Sequence, residues 1–344
     1  MCPHGGCGEC DQCRSAAAGT HPDILWVSTT GVVLTVDEIR GAIHEAANMP
    51  TVARWRVVVV EDADRLNDAA ANALLKSVEE PPARTVFLLC APSTDPSDIA
   101  ITLRSRCRHV YVPTPSPAAV KGVLLSDATL GLNETQAQWA ADVSAGHIGR
   151  ARHLASDEAA RTKRATALKL PQLVYEPNAL YRFTSELVKK AEEEAASELE
   201  KLDQREREEL ESSLGVGAKG KGAAKAQRGA SGRMKELEKE QKNRRTRRTR
   251  DSLDLALIDI AGLYRDAMLQ AAGAVEGDGV PVGGHQHPDM AATSKELARR
   301  NSASALVSCI DAVMECREVL GYNVRPEVAL DAMAGRLQQC CGVA

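Results

Sequence analysis

Short apolar runs alternate with amphipathic stretches over the first third of the chain. Residues 24–27, 57–60, 86–91 and 109–112 are brief, β-branched or aromatic and bounded by polar or proline-bearing text, which predicts four strands. Between them apolar positions recur at helical spacing over about 36–47 and 68–78, with a shorter helix near 99–103. Thr35 and Glu38 make a capping box for the first of these helices. Pro81 and Pro82 stop the second, since proline brings no N–H and clashes with the preceding turn. Strand–helix alternation of this kind predicts a parallel α/β sheet.

The pattern then changes. Pro113, Pro115 and Pro117 punctuate the chain like a domain boundary. Residues 118–155 read as a small helical unit with turn signals at Gly131-Leu132-Asn133 and over 146–149. Beyond about 160 the text is helical or of low complexity. Leu306, Cys309, Val313, Cys316 and Leu320 fall on one helical stripe, as do Leu330, Met333 and Leu337. A polar insertion occupies about 186–250. Its first part, 186–214, carries 11 acids and 5 bases, and its second, 215–250, carries 3 acids and 13 bases. The Gly/Ala/Lys text of 215–232 has too little apolar surface to order itself, so charged helices flanking a loose tip are expected. A second loose loop is expected over 273–288, which includes His285 and His287. No internal repeat is present.

Composition narrows the function classes. The chain has 344 residues, 43 Lys plus Arg against 47 Asp plus Glu, and a net charge of −4, which excludes a globally basic nucleic-acid binder. Hydrophobic residues make up 44% and aromatics 3%, so the core must rest on Ala, Leu and Val, a mixture suited to helices. No apolar run approaches the ~18 residues of a membrane span, and the first thirty residues lack the apolar stretch of a secretory signal. A soluble, cytoplasmic protein without a membrane partner is expected.

Four of the ten cysteines crowd into the first thirteen residues as Cys2-x4-Cys7-x2-Cys10-x2-Cys13. Four thiolates at this spacing suit tetrahedral zinc, each Cys-x-x-Cys step delivering two sulfurs, and a full sulfur set leaves no open position for water. The expected ion is therefore structural. The bland alternative is a set of reduced surface thiols, and His4 or His21 could substitute for Cys2. Glu61 and Asp62 end the 57–60 strand, an arrangement that holds magnesium in P-loop NTPases but also a common polar strand end. Only Gly215-x4-Gly220-Lys221 approaches a phosphate loop. Gly222 stands where Ser or Thr must bind magnesium, and no strand precedes it. Arg104-Ser105-Arg106-Cys107-Arg108 taken alone is a basic turn. The arginine-rich run over 244–250 could equally touch a phosphate backbone or be a solvated face. His147 and His153 lack a partnered acid and read as ordinary histidines.

In order along the chain, these pieces resemble the delta-prime family of the bacterial DNA polymerase III clamp loader, which are AAA+ relatives. The resemblance is carried by the cysteine knuckle running into Gly19-Thr20-His21-Pro22-Asp23, then Asp37-Glu38-Ile39-Arg40, then Val57-Val58-Val59-Val60-Glu61-Asp62-Ala63-Asp64-Arg65-Leu66. Ala71-Asn72-Ala73-Leu74-Leu75-Lys76-Ser77-Val78-Glu79-Glu80-Pro81-Pro82 and Leu103-Arg104-Ser105-Arg106-Cys107 complete it. It is dense over 2–112 and fainter to about 160; beyond that only Asn323-x-Arg325-Pro326-x-x-Ala329-Leu330 looks familial, and the insertion has no counterpart.

The resemblance implies an AAA+-like α/β domain over 1–112 with its zinc module at 2–13, a helical lid over 113–158, and an all-α collar over 159–344. The family's Walker B acids fall on Glu61 and Asp62, in an order that departs from the Asp-Glu of ATP-hydrolysing members. Its sensor 2 arginine falls on Gly149, with Arg150 next door. Both departures imply a subunit that does not hydrolyse ATP and has no catalytic site of its own within the nucleotidyltransferase holoenzyme. Arg106, flanked by Ser105 and Cys107, matches the arginine finger offered in trans to ATP on a neighbouring subunit. The implied partners are gamma/tau and delta subunits, the sliding clamp and, through the complex, primed DNA. In this family a phosphate loop and its strand precede the zinc module, so a truncated or mis-started reading frame is also expected. Two rivals stand beside this reading. One is an ATP-hydrolysing gamma/tau-type motor of the same machine. The other is a zinc-knuckle nucleic-acid binder, which has only Trp26 and Trp55 in its first 86 residues for base stacking.

Overall fold

The computed structural model describes residues 2, 5–29, 31–96, 98–214, 223–276, 280–281, 283–322 and 324–343. His4, Asn323 and the glycine-rich near match over 215–222 lie outside them. The chain forms two units, Met1–Tyr111 with Val216–Arg247, and Val112–Gly215 with Arg248–Ala344.

The first unit runs α1 (Asp11–Ala17), β1 (Ile24–Val27), α2 (Val36–Ala46), β2 (Arg56–Val60), a 3-10 turn at Ala63–Arg65, α3 (Asp68–Glu79), β3 (Thr85–Leu89) and α4 (Ile101–Arg104). The three strands lie in the order β1-β2-β3, all parallel, with Ile24 opposite Val57 and Val57 opposite Val86. Alternate residues point to opposite faces of a strand. Val27, Val58 and Val60 therefore share one face, where they pack with Ile39 of α2, Leu74 of α3 and Leu103 of α4. Burying each such side chain contributes roughly 1.5–3 kcal/mol. On the opposite face Trp26, Val86 and Leu88 are exposed. Caps fix where the helices begin: Thr35 and Glu38 form the expected box, and the Asn67 side chain accepts from the Ala70 N–H at 2.8 Å.

The expected strand over 109–112 does not form. That segment is not part of the sheet, and Val110, Tyr111 and Val112 are 72–81% exposed. A strand persists only where its backbone groups are paired, and among the described residues no strand lies along β3 on the side away from β2.

The second unit begins with α5 (Pro117–Ser126), α6 (Glu134–Asp142) and α7 (Ile148–Ser156), which close on a small core of Val120, Leu124, Ala137, Ala140, Ala141 and Ala151. Gly146 makes their last turn at φ +82°, and a Cβ there would stand 2.8 Å from the Pro115 carbonyl oxygen, so only glycine fits. His147 caps α7, its Nδ1 accepting from the Arg150 N–H at 3.2 Å. There follow α8 (Glu158–Ala167), α9 (Leu170–Leu173), α10 (Pro177–Ser213), α11 (Ala223–Ala271), the short strands β4 (Val275–Glu276) and β5 (Val280–Pro281), α12 (Ala291–Arg300), α13 (Ala303–Gly321) and α14 (Pro326–Cys340). Both predicted stripes of α13 and α14 are buried, packing with Leu180, Leu257, Ile260 and Tyr264. No helix among the described residues is long and apolar enough to cross a membrane.

Two loops expected to be loose are ordered in part. Helix α11 starts at Ala223, inside the 215–232 text, where Ala, Lys, Gln and Arg are good helix formers. The 273–288 segment forms the β4–β5 hairpin, after which Asp266 accepts the backbone N–H groups of Gln286 and His287, each at 3.0 Å.

Candidate functional site

The N-terminal knuckle gathers four sulfurs. The Sγ atoms of Cys2, Cys7, Cys10 and Cys13 all lie within 4.8 Å of one another, with Cys2 and Cys7 at 3.6 Å. Gly5, Gly6 and Gly8 take positive φ values of 70–98°, the conformation that turns the chain tightly enough for this. Cys10 is the N-cap of α1, and Cys13 rides on the helix. The Cys7 N–H donates to Cys2 Sγ and the Cys10 N–H to Cys7 Sγ, both at 3.4 Å. Hydrogen bonds from Cys10 and Glu9 N–H groups lower the Cys7 thiol. At Cys13 the Gly8 N–H acts in the same sense, but burial and the crowded sulfurs of Cys10, Cys2 and Cys7 outweigh it and push the thiol up to about 11. Four sulfurs so close ionise together only around a cation, and the set fits a metal ion. His21 is not available as a ligand. Its Nε2 pairs with Gln12 Oε1 at 2.6 Å and its Nδ1 accepts the Asp23 N–H at 3.0 Å.

Asp23, two residues on, organises the approach to the sheet. Its fully buried carboxylate accepts the N–H groups of Thr51, Val52 and Ala53 at 2.6–2.8 Å and the Thr51 hydroxyl at 3.0 Å. Burial works to raise it, yet these donors prevail and hold it well below the usual carboxylate range. The motif containing Asp23 was visible in the sequence; its partners, some thirty residues on, were not.

Glu61 and Asp62 stand at the end of β2 as expected, but they are not alike. Glu61 is exposed, its N–H donating to the Val27 carbonyl at 3.1 Å. Asp62 receives Arg247 Nη2 at 2.7 Å, and Arg65 Nε lies 3.9 Å away. Arg247 also donates to the Thr29 carbonyl. An arginine from the charged insertion therefore pairs with the second of the two acids and leaves the first exposed. The rest of that basic run is also engaged within the chain: Arg248 pairs with Glu198 at 2.5 Å, and Arg250 donates to the Val324 carbonyl at 3.3 Å.

The Ser105-Arg106-Cys107 turn follows α4. Arg106 Nε donates to Glu79 Oε2 at 2.9 Å and its Nη1 to the Thr102 carbonyl at 3.0 Å, with the side chain 36% exposed. Ser105 donates to the Thr102 carbonyl at 3.0 Å, Cys107 is half-buried, and Arg104 donates to the Thr94 carbonyl at 2.6 Å. Arg106 thus meets a carboxylate on α3 through Nε, a partner that sequence spacing did not reveal.

A second charged cluster, in the helical unit, was not foreseen. Arg150 pairs with the buried Asp259. Arg164 reaches Asp289 through two bonds at 2.6 and 2.9 Å, touches His287 Nδ1 at 2.8 Å and lies 5.7 Å from the Trp139 ring centroid. Burial and the Arg164 charge push fully buried His287 down to about 3, so its ring is neutral. Burial pushes the Asp259 carboxyl up in spite of both guanidiniums. The expected neighbour of the sensor position, Arg150, is thus committed to a carboxylate of its own unit.

Comparison with known proteins places the first unit. Residues 2–116 match the family described as DNA polymerase III, delta subunit. The chain is 42% identical over 120 residues to DNA polymerase III subunit delta′ of Escherichia coli, covering 34% of this chain and 35% of that one. It is 41% identical over 117 residues to the delta′ subunit of Pseudomonas aeruginosa, covering 33% and 35%. Against subunit tau/gamma of Haemophilus influenzae it is 33% identical over 115 residues, covering 32% and 16%. Over this segment the chain is similar to subunits of the DNA polymerase III clamp-loader class. Within that class the similarity is to delta′ at about 41–42% identity and to tau/gamma at 33%. The similarity spans about a third of the delta′ relatives' length.

Proposed function

We propose that the chain is a delta′-type subunit of a cytoplasmic DNA polymerase III clamp loader. It would act with gamma/tau and delta subunits to open a sliding clamp and place it on primed DNA. In this reading the first unit is AAA+-like, the α5–α7 group is its lid and the later helices are the collar. The four cysteines hold zinc, which supplies a fixed tetrahedral anchor for the N-terminal turn and no chemistry. Arg106 is the group that acts. Guanidinium is planar, permanently charged and able to bind two oxygens at once, so it suits the charge spread over a phosphoryl group in transfer. Glu79 and the Thr102 carbonyl hold the partly exposed side chain, which in this reading exchanges Glu79 for a phosphate on a neighbouring subunit.

The observation that carries a non-hydrolysing role is the Arg247–Asp62 pair: Asp62 falls on the second acid of the pair, the one that polarises water in ATP-hydrolysing members, and a carboxylate engaged by a guanidinium is a poor base toward water. The same pair weighs against the gamma/tau motor, and internal engagement of the basic run weighs against the zinc-knuckle nucleic-acid binder. The reconstituted complex tests the proposal. Arg106→Ala is expected to leave assembly intact and to cut DNA-stimulated ATP hydrolysis and clamp loading steeply; fingers supplied in trans are worth roughly 10³–10⁵-fold in GTPases. Arg106→Lys should not restore the rate, because it keeps charge and loses the fork. Unchanged hydrolysis and loading with Arg106→Ala would reduce the turn to a basic surface.

A further inference from the structure

We propose that Cys309 and Cys341 form a redox-reactive thiol pair, closing to a disulfide that ties the end of α14 to α13, with Cys341 as attacking sulfur and Cys309 as resolving sulfur. The two Sγ atoms stand 3.8 Å apart in the helical unit. A disulfide needs about 2.05 Å, so the two sulfurs must draw together on bonding. Cys341 stands where the helix ends, being the C-cap of α14 and followed by Gly342 at φ +67°.

The surroundings divide the labour between the sulfurs. Cys309 is fully buried and Cys341 half-buried, so a small reagent meets Cys341 first. The helix C-terminus disfavours a thiolate there, since its free carbonyls carry partial negative charge. Two groups counter it. The Cys309 and Cys341 sulfurs share a hydrogen bond, and the Tyr175 hydroxyl supports Cys341 further; together they lower Cys341, while the shared bond and burial raise Cys309. Tyr175 is itself fixed, its oxygen accepting from Asn301 Nδ2 at 2.7 Å and its ring lying 4.8 Å from the Arg300 guanidinium. Cys316, on the same helix as Cys309, lacks this environment: burial pushes it up to about 12.

The co-reactant class is a small-molecule disulfide such as oxidised glutathione. The Cys341 thiolate attacks one of its sulfurs, the S–S bond breaks, and one glutathione leaves with the electron pair and takes up the proton that Cys341 lost. Cys309 then attacks the Cys341 sulfur of the mixed disulfide, and the second glutathione leaves with its electron pair and the Cys309 proton. The pair loses two electrons, and the reagent becomes two thiols.

Full-length protein with its N-terminal cysteines loaded with zinc should be equilibrated in glutathione buffers of increasing oxidation, quenched in acid, alkylated and mapped by peptide mass spectrometry. The expected product is a 309–341 disulfide, retained in Cys340→Ser and lost in Cys341→Ser. Cys309→Ser should stop at a glutathione adduct on Cys341. Tyr175→Phe should slow alkylation of Cys341 by iodoacetamide several-fold near neutral pH, with the rate recovered at higher pH. If Cys309→Ser does not fold, the wild-type, Cys340→Ser and Cys341→Ser chains still decide. Wild-type protein that keeps both thiols free in fully oxidised glutathione, or that bridges through Cys340, would overturn the assignment.

Discussion

His287 shows how a single side chain can set the acid limit of a helical unit. Burial and the Arg164 guanidinium hold its folded-state value near 3, while an unfolded histidine titrates near 6.5. Between those values the unfolded chain binds a proton that the folded chain refuses, so stability falls as pH drops through this window. For one such group the slope reaches about 1.4 kcal/mol per pH unit. Asp289, lowered by Arg164 against the effect of burial, works in the same sense only below the ordinary carboxylate range, and Asp259, raised by burial, works in the opposite sense, so the window near neutrality belongs to His287. Urea midpoints of the helical unit are therefore expected to fall between pH 7 and pH 5, and His287→Asn should flatten the dependence. An unaltered slope in His287→Asn would assign the acid sensitivity to other groups.

At the scale of elements, the caps are the testable joints. Thr35 Oγ1 accepts the Glu38 N–H at 3.4 Å while Glu38 Oε2 accepts the Thr35 N–H at 2.6 Å, so Thr35→Ala should destabilise the sheet unit by about 1 kcal/mol and Thr35→Ser by much less. Amide exchange in the first turn of α2 would read the difference; equal protection in both variants would mean that packing alone starts the helix. Elements of this kind were legible in the sequence because their signals are local. β1 to β3, α2, α3 and the cysteine knuckle each depend on residues a few positions apart. What was not legible depends on distant partners. The 109–112 run has strand chemistry but no neighbouring strand. The 273–288 run looks loose until Asp266 and Arg164 take hold of it. Asp62 reads as half of a metal site until Arg247, 185 positions away, occupies it. The Arg106–Glu79 pair was hidden for the same reason, although both residues stood within quoted motifs.

At the scale of the whole molecule, the knuckle and the large helical core belong to different units and share no apolar residues. Metal binding to such a knuckle is folding free energy, on the order of 10 kcal/mol in peptide systems. Stripping the metal with a chelator or a thiol-blocking reagent is therefore expected to open residues 2–13 to protease while the thermal transition of the helical unit stays in place. Loss of that transition together with the metal would show that the knuckle supports more than its own turn. The cation resting on Trp139 bears on how such changes could be watched. Of the three tryptophans, Trp26 and Trp55 lie half-exposed in the sheet unit, and only Trp139 reports from the helical one. With Trp26 and Trp55 replaced by phenylalanine, the remaining indole emission would come from a ring pressed against Arg164. Its colour and lifetime would then change when that guanidinium departs, giving an optical signal from the charged cluster itself.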